Sequence, residues 1–368
     1  MKKLDKVLAD RIASKGHINL FEFMKEALTH PKFGFYMKKN IFGSHGNFVT
    51  SPEISQMFGE LIGIWCLNLW EKMNRPNNFQ IIEMGPGLGT LMKDLLRVCN
   101  KLSPDFLRAT KINLIEKSPK LKKYQMKNLC GININWHTSL SEKIINDPFI
   151  IIANEFLDTL PIRQFQFSNN SWNERIIGFS KAKSKFFFTL KEIKNLPNTL
   201  RSLEIIKKAK EGDIVEFNPN AEKLMDKIGR IMNKNQGYGL IIDYGHTKIS
   251  FGETLQAVKK HRFCNALEKP GESDLTAHVD FELIAKIAKE SGAKVYSPIP
   301  QGQFLRNLGI NERAKILKKN ASPDERVEIE TSRKRLTERK EMGELFKILM
   351  LSSPALPKPE GFSLGRPV

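Results

Sequence analysis

Cysteine is scarce in this chain of 368 residues, and the four present (Cys66, Cys99, Cys130 and Cys264) are widely scattered. With no C-x-x-C pair, neither a disulfide framework nor a zinc ribbon fits, and the reading is a reducing compartment. Long apolar runs are missing as well. The richest, Leu61 to Trp70, is short and interrupted by Asn68, well below the ~18–20 residues that span a bilayer. The start, Met1-Lys2-Lys3, is followed by Asp5 and Asp10 where a signal peptide carries its apolar region, so a mature cytoplasmic start is expected. That means a bacterial-type cytoplasm, or the mitochondrial matrix in a eukaryote, although no clear transit peptide is seen. There is no internal repeat and no low-complexity tract. Disorder is excluded too, because 40% of the residues are hydrophobic and 27% charged, enough apolar mass for about two compact units.

Charge is the one strong bias. Lys and Arg number 59 against 40 Asp and Glu, giving 59 − 40 = +19. An excess of that size invites a nucleic-acid or anionic-membrane ligand. It is concentrated between Lys181 and Lys210, whereas from Glu312 to Lys340 both signs alternate as on a solvated helix surface. The charge therefore does not by itself name a ligand.

The pattern of elements points to an α/β fold. Residues 4–72 read as helices and loops, with Phe21, Met24, Ala27 and Leu28 on one face and Ile54, Phe58, Leu61, Ile62 and Trp65 on another. Between them lies a Gly-rich loop from Ile41 to Glu53, with Ser51 as the expected N-cap of the second of these helices. Short β-runs then alternate with helices: Phe79–Glu83, Lys111–Glu116, Ile132–Trp136, Pro148–Ala153 and Gly239–Tyr244. Such alternation predicts a parallel sheet with helices on both faces. Runs around Gln164–Phe167, Arg175–Phe179 and Lys185–Leu190, with Asn169-Asn170 between the first two, predict an antiparallel insertion. The expected organisation is an N-terminal helical cover with the Gly-rich loop over 1–75 and a core of 76–161 with 237–310. An inserted substrate-side region lies at 162–236, C-terminal helices and a final strand at 311–351, and a tail at 352–368.

Three clusters carry chemistry. Glu83-Met84-Gly85-Pro86-Gly87-Leu88-Gly89-Thr90 joins a buried strand to a helix. Glycines admit positive φ and a close ligand, and a helix N-terminus offers free N–H groups. The third glycine comes one residue too early for a dinucleotide fingerprint. The E-x-G-x-G-x-G form is instead the first motif of S-adenosylmethionine (SAM)-dependent methyltransferases. Glu116, ending the second strand, is placed to accept hydrogen bonds from both hydroxyls of a ribose.

The second cluster, Asn154-Glu155-Phe156-Leu157-Asp158-Thr159-Leu160-Pro161, comes after the fourth strand. Ligands of doubly wound sheets bind there, so Asn154 and Glu155 fall near a reacting methyl. Asp158 shares a side with Glu155 if the segment opens a helical turn. Two carboxylates would clamp a guanidinium, although Asn154 and Asp158 would equally serve as loop and cap residues. The segment is not the N-P-P-Y or D-P-P-Y kind of amino-methylating nucleic-acid enzymes, which counts against a base as substrate. In the third cluster, Pro270 to Phe281, His278 would orient a carboxylate or accept a proton; a capped helix entrance at Thr276–Glu282 is the alternative. No metal-ligand spacing surrounds His30, His246 or His261.

Together these segments resemble the MidA-type SAM-dependent methyltransferases, whose mitochondrial branch is complex I assembly factor 7, a protein-arginine methyltransferase. The resemblance runs from Thr29-His30-Pro31 through Phe48–Ser55, Glu116–Pro119, Asn154–Pro161, Asp243-Tyr244-Gly245 and Asp274–Phe281 to Met342–Lys347. It implies a class I (Rossmann-like) methyltransferase sheet with SAM as cofactor. Asn47, Thr50, Glu83, Gly85, Pro86, Gly87, Gly89, Thr90, Glu116 and Asn154 would bind the cofactor, and Glu155, Asp158 and His278 would serve catalysis. It also implies a protein substrate, with a complex I subunit as the partner and no metal; assembly as a homodimer stays open. Two departures stand out: Asn47 replaces the usual Asp, losing a charge that would complement the sulfonium, and Leu88 replaces a frequent Arg. A non-catalytic assembly factor that keeps the fold for binding, and a nucleic-acid methyltransferase, are the competing classes.

Overall fold

The computed structural model describes residues 3–38 and 50–362. They divide into two compact units: the described residues of Met1–Phe48, Asp158–Leu224 and Lys248–Asp280, and those of Val49–Leu157, Met225–Thr247 and Phe281–Val368.

The second unit contains seven strands of one sheet: β1 (Phe79–Met84), β2 (Thr110–Ile115), β3 (Ile134–His137), β4 (Phe149–Asn154), β5 (Gly237–His246), β6 (Lys294–Pro300) and β7 (Phe346–Ser352). They run in the order β3-β2-β1-β4-β5-β7-β6. The first five are parallel, and β7 lies antiparallel to both β5 and β6. Helices on the sheet faces make strands read as unbroken apolar runs; every residue of β1 and β4 is buried. Chain order reverses between β1 and β4, and the crevice beyond their carboxyl ends is where such sheets take ligands.

On one face the helices Gln56–Lys72 and Thr90–Leu102 pack together. Gly59 and Gly63 let them touch: a Cβ on Gly63 would lie 2.7 Å from Val98 Cγ1 and 3.0 Å from Leu95 Cα. Glu60 is 1% exposed in the middle of this apolar helix. Arg313, on the helix Ile310–Lys319, grips it with two bonds of 2.6 and 2.9 Å, and Arg97 adds an ion pair at 3.0 Å.

In the first unit the helices Lys3–Lys15 and Leu20–Thr29 share a core with the antiparallel strands, through Leu8, Phe23, Met24, Ile162, Ile177 and Leu275. Phe23, not Phe21, fills the buried face. The strands Arg163–Ser168 and Ser171–Ser180 form the expected hairpin. Asn169 and Asn170 have φ of 51° and 57°, which a two-residue turn of matching twist requires. Lys185–Glu192 pairs along Ser171–Ser180.

Local expectations shift in two places. The helix Ser51–Ile54 starts at Ser51 itself, with Thr50 as its N-cap, because the Ser51 N–H is answered from elsewhere. The segment after β4 makes bends and a turn instead of opening a helix, because Glu155 adopts φ of 49°. Asp158 therefore does not share a helical face with Glu155.

Candidate active site

The glycine turn leaves β1 with all three glycines at positive φ: Gly85 at 64°, Gly87 at 54° and Gly89 at 82°. Gly85 donates its N–H to Ile115 O at 3.0 Å, and Gly89 donates to Pro86 O at 2.7 Å. A Cβ on Gly85 would lie 2.6 Å from Phe156 Cδ2, so only glycine fits between the turn and the segment after β4. Gly89 caps the helix Thr90–Leu102 without a side chain, leaving the first N–H groups of that helix at the crevice.

Glu83 sits one residue before the end of β1. Complete burial pushes its carboxyl up to about 8, and its Oε2 is buried with no hydrogen-bond partner among the described residues. The same holds for Oδ1 of Asn154 at the end of β4. Glu83 pairs in register with Ile152, so by strand alternation Glu83 and Asn154 project to one face. Two orphaned acceptors at one sheet end call for a donor or cation.

Glu116, just beyond β2, accepts the Ser118 N–H at 2.6 Å through Oε1 and the Gln125 amide at 3.1 Å through Oε2. Burial raises its carboxyl above the usual range, and the Ser118, Gln125 and Lys117 donors partly offset that. Glu155 Oε1 accepts the Ser51 N–H at 2.8 Å and the Asn154 amide at 3.3 Å. Its left-handed backbone is over-determined, as strained site residues are. The Glu155 N–H bonds Ile242 O at 2.8 Å, and the fully buried Asp243 accepts Phe156 N–H at 3.1 Å and Leu157 N–H at 2.9 Å.

Glu83, the Gly85–Thr90 turn, Glu116, Asn154 and Glu155 thus gather at the carboxyl ends of β1, β2 and β4. Thr50 lies beside them as the sequence neighbour of Ser51 and makes no side-chain cap bond; Asn47 lies outside the described residues. Asp158 and His278 belong to the other unit. There the Asp158 carbonyl accepts the Ala277 N–H at 3.0 Å. Asp274 is buried, and burial, then the nearby Asp158 charge, hold its carboxyl well above the usual range. Tyr36 donates its hydroxyl to Asp274 at 2.8 Å. His278 stands between the strands Asp274–Thr276 and Val279–Asp280, and a helix, Phe281–Glu290, opens within the Thr276–Glu282 segment as the alternative expected. Its N–H bonds Thr254 Oγ1 at 2.9 Å, and its ring Nε2 meets the Gln256 amide at 3.3 Å. Sequence reading did not name Asp243 or Gln125 as site residues, although they hold the segment after β4 and Glu116. Only Asp243 carried a local signal, an acid at the end of a buried strand.

Residues 61–299 match the family described as "Putative S-adenosyl-L-methionine-dependent methyltransferase". The chain belongs to this methyltransferase family. The methyltransferase is 34% identical to the mitochondrial protein arginine methyltransferase NDUFAF7 of Danio rerio, over 96% of this chain and 88% of that protein. To its Homo sapiens counterpart it is 32% identical, over 93% and 81%. Among solved structures, a COG1565 superfamily member from Burkholderia thailandensis bound to S-adenosyl-homocysteine has the same fold, with a TM-score of 0.84 and 24% identity over 98% of this chain and 95% of that one. SAM is accordingly the cofactor of the methyltransferase, and its sheet is of the class I type. No described helix is long and apolar enough to cross a membrane.

Proposed function

We propose that this methyltransferase transfers a methyl group from SAM to an arginine side chain of a protein, on a subunit of respiratory complex I. The observation that carries the cofactor site is the pair of orphaned acceptors, Glu83 Oε2 and Asn154 Oδ1. They suit an ammonium such as the one on the methionine end of SAM, so the residues present fit the cofactor. The glycine turn would pack against its backbone side, and Glu116 would take the two ribose hydroxyls. When bound, SAM supplies an activated methyl on a sulfonium, so the protein's contribution is alignment and electrostatics.

For the substrate, the support is the activity named for relatives matched over nearly the whole chain, together with the acid that comes after β4. Glu155 would hold the planar guanidinium through charge-assisted bonds, keeping its nitrogen in line with the methyl. The site of action would be the mitochondrial matrix or the cytoplasm of a bacterium; the relatives' names say mitochondrial.

Incubation with methyl-labelled SAM and a cell extract tests this reading. Label recovered as methylarginine after protein hydrolysis is the expected result. Label on RNA or DNA would turn the +19 charge into the decisive feature and overturn the protein substrate. Binding of SAM without transfer to any fraction would leave the fold as an assembly scaffold.

A further inference from the structure

The helix Pro119–Asn128 carries a fully buried glutamine, Gln125, whose amide makes three bonds to three separate elements. Its Nε2 donates to the carbonyl of Gly87 at 2.9 Å and to Glu116 Oε2 at 3.1 Å. Its Oε1 accepts the indole N–H of Trp136, on β3, at 2.9 Å. The orientation of this amide is fixed by chemistry. Indole nitrogen only donates, while a carbonyl and a carboxylate only accept, so Oε1 must face Trp136 and Nε2 the other two. A second amide, Asn128 Nδ2, holds the next carbonyl of the turn, Leu88 O, at 2.9 Å. Glu116 has its other oxygen on the Ser118 N–H, so both of its oxygens are oriented from the protein side.

We infer that Gln125 is a positioning residue of the cofactor site: its amide ties Glu116 to the peak of the glycine turn, so that the two halves of the nucleoside cradle keep one separation. The inference rests on the proposed placement of Glu116 at the ribose. A glycine turn with three positive φ values has little side-chain packing of its own, and a glutamate carboxyl has rotamers that miss the ribose. One buried amide removes both freedoms. Gln125 itself touches no ligand; it acts through Glu116 and Gly87.

A double-mutant cycle tests this, read as the dissociation constant of S-adenosylhomocysteine by titration calorimetry on the full chain. Gln125→Met keeps the volume and removes all three bonds. It should weaken binding about tenfold, the scale for buried groups left unpaired. In the Glu116→Ala background the same change should cost less than about twofold, because the group it positions is gone. Trp136→Phe keeps a ring but drops the N–H that fixes the amide, and should show the same non-additivity with a smaller loss; it stands in if Gln125→Met does not fold. An equal loss in both backgrounds would make Gln125 a packing residue and overturn the inference. Were Glu116→Ala to weaken binding while Gln125→Met and Trp136→Phe did not, the inference alone would fall. If Glu116→Ala left affinity unchanged, the ribose assignment would fall first and the inference with it.

Discussion

Glu155 holds a left-handed backbone at the end of β4, and one of its oxygens already receives the N–H that starts the helix Ser51–Ile54. This makes Glu155→Gln an informative change. The glutamine oxygen still accepts that N–H, so the local fold survives, but the negative charge is lost. If the charge grips the guanidinium, turnover at saturating SAM should fall about 100-fold, the scale of an electrostatic contact strengthened in the transition state, with SAM affinity nearly unchanged. Raised SAM dissociation with normal single-turnover transfer would reassign Glu155 to holding the Ser51 segment. Glu83 yields a pH prediction. Its carboxyl, pushed up to about 8 by burial, is protonated at neutral pH before the cofactor arrives. An ammonium on Glu83 favours the carboxylate, so binding below pH 8 releases a proton. Affinity should therefore rise as pH climbs from neutrality toward about 8. The same raised value means that the stability Glu83 lends in its neutral form is complete below its ordinary pKa and lost as pH climbs toward 8. Calorimetry in two buffers of different ionisation enthalpy measures the proton, and Glu83→Gln should abolish both effects.

The helices Gln56–Lys72 and Thr90–Leu102 meet where Gly63 lies under Val98 and Leu95. A larger residue there must push the second helix outward, and that helix begins at the glycine turn. Gly63→Val should destabilise the protein by about 1–3 kcal/mol, as overpacking does, and should weaken SAM binding as well because the turn moves with its helix. Thermal unfolding with and without SAM reads both; an unchanged melting temperature would mean that the helices have room to spare. This element also marks the limit of sequence reading. The face made by Phe58, Leu61, Ile62 and Trp65 is periodic, so it is visible in the sequence. The buried Glu60 among them looks like a mistake until Arg313, distant in the chain, supplies its partner. The glycine turn and Glu116 are legible because strand, turn and helix are consecutive. Tyr36 and Asp274, 238 residues apart, and the Ser51–Glu155 contact, 104 residues apart, obey no period.

At the scale of the whole molecule, the chain passes repeatedly between the two units, and neither is one continuous segment. A fragment of residues 1–157 contains the glycine turn, Glu116 and Glu155, yet lacks β5, β6 and β7. It should remain without cooperative structure, since β4 would lose its neighbour β5, and Phe156 and Leu157 the carboxylate of Asp243. Far-UV circular dichroism through a temperature ramp checks this; a cooperative transition in the fragment would show that the remaining strands carry themselves.

The place of β7 has a consequence for how the sheet comes into being. It wedges between β5 and β6, although β5 is complete long before residue 346 has been added to the growing chain. Until then β5 offers a bare edge of Leu240, Ile241 and Ile242, ready to pair with any passing strand. During synthesis the nascent protein must therefore wait with this strand edge uncovered, and the rate at which Phe346–Ser352 arrives sets how long it stands open to aggregation or to a chaperone.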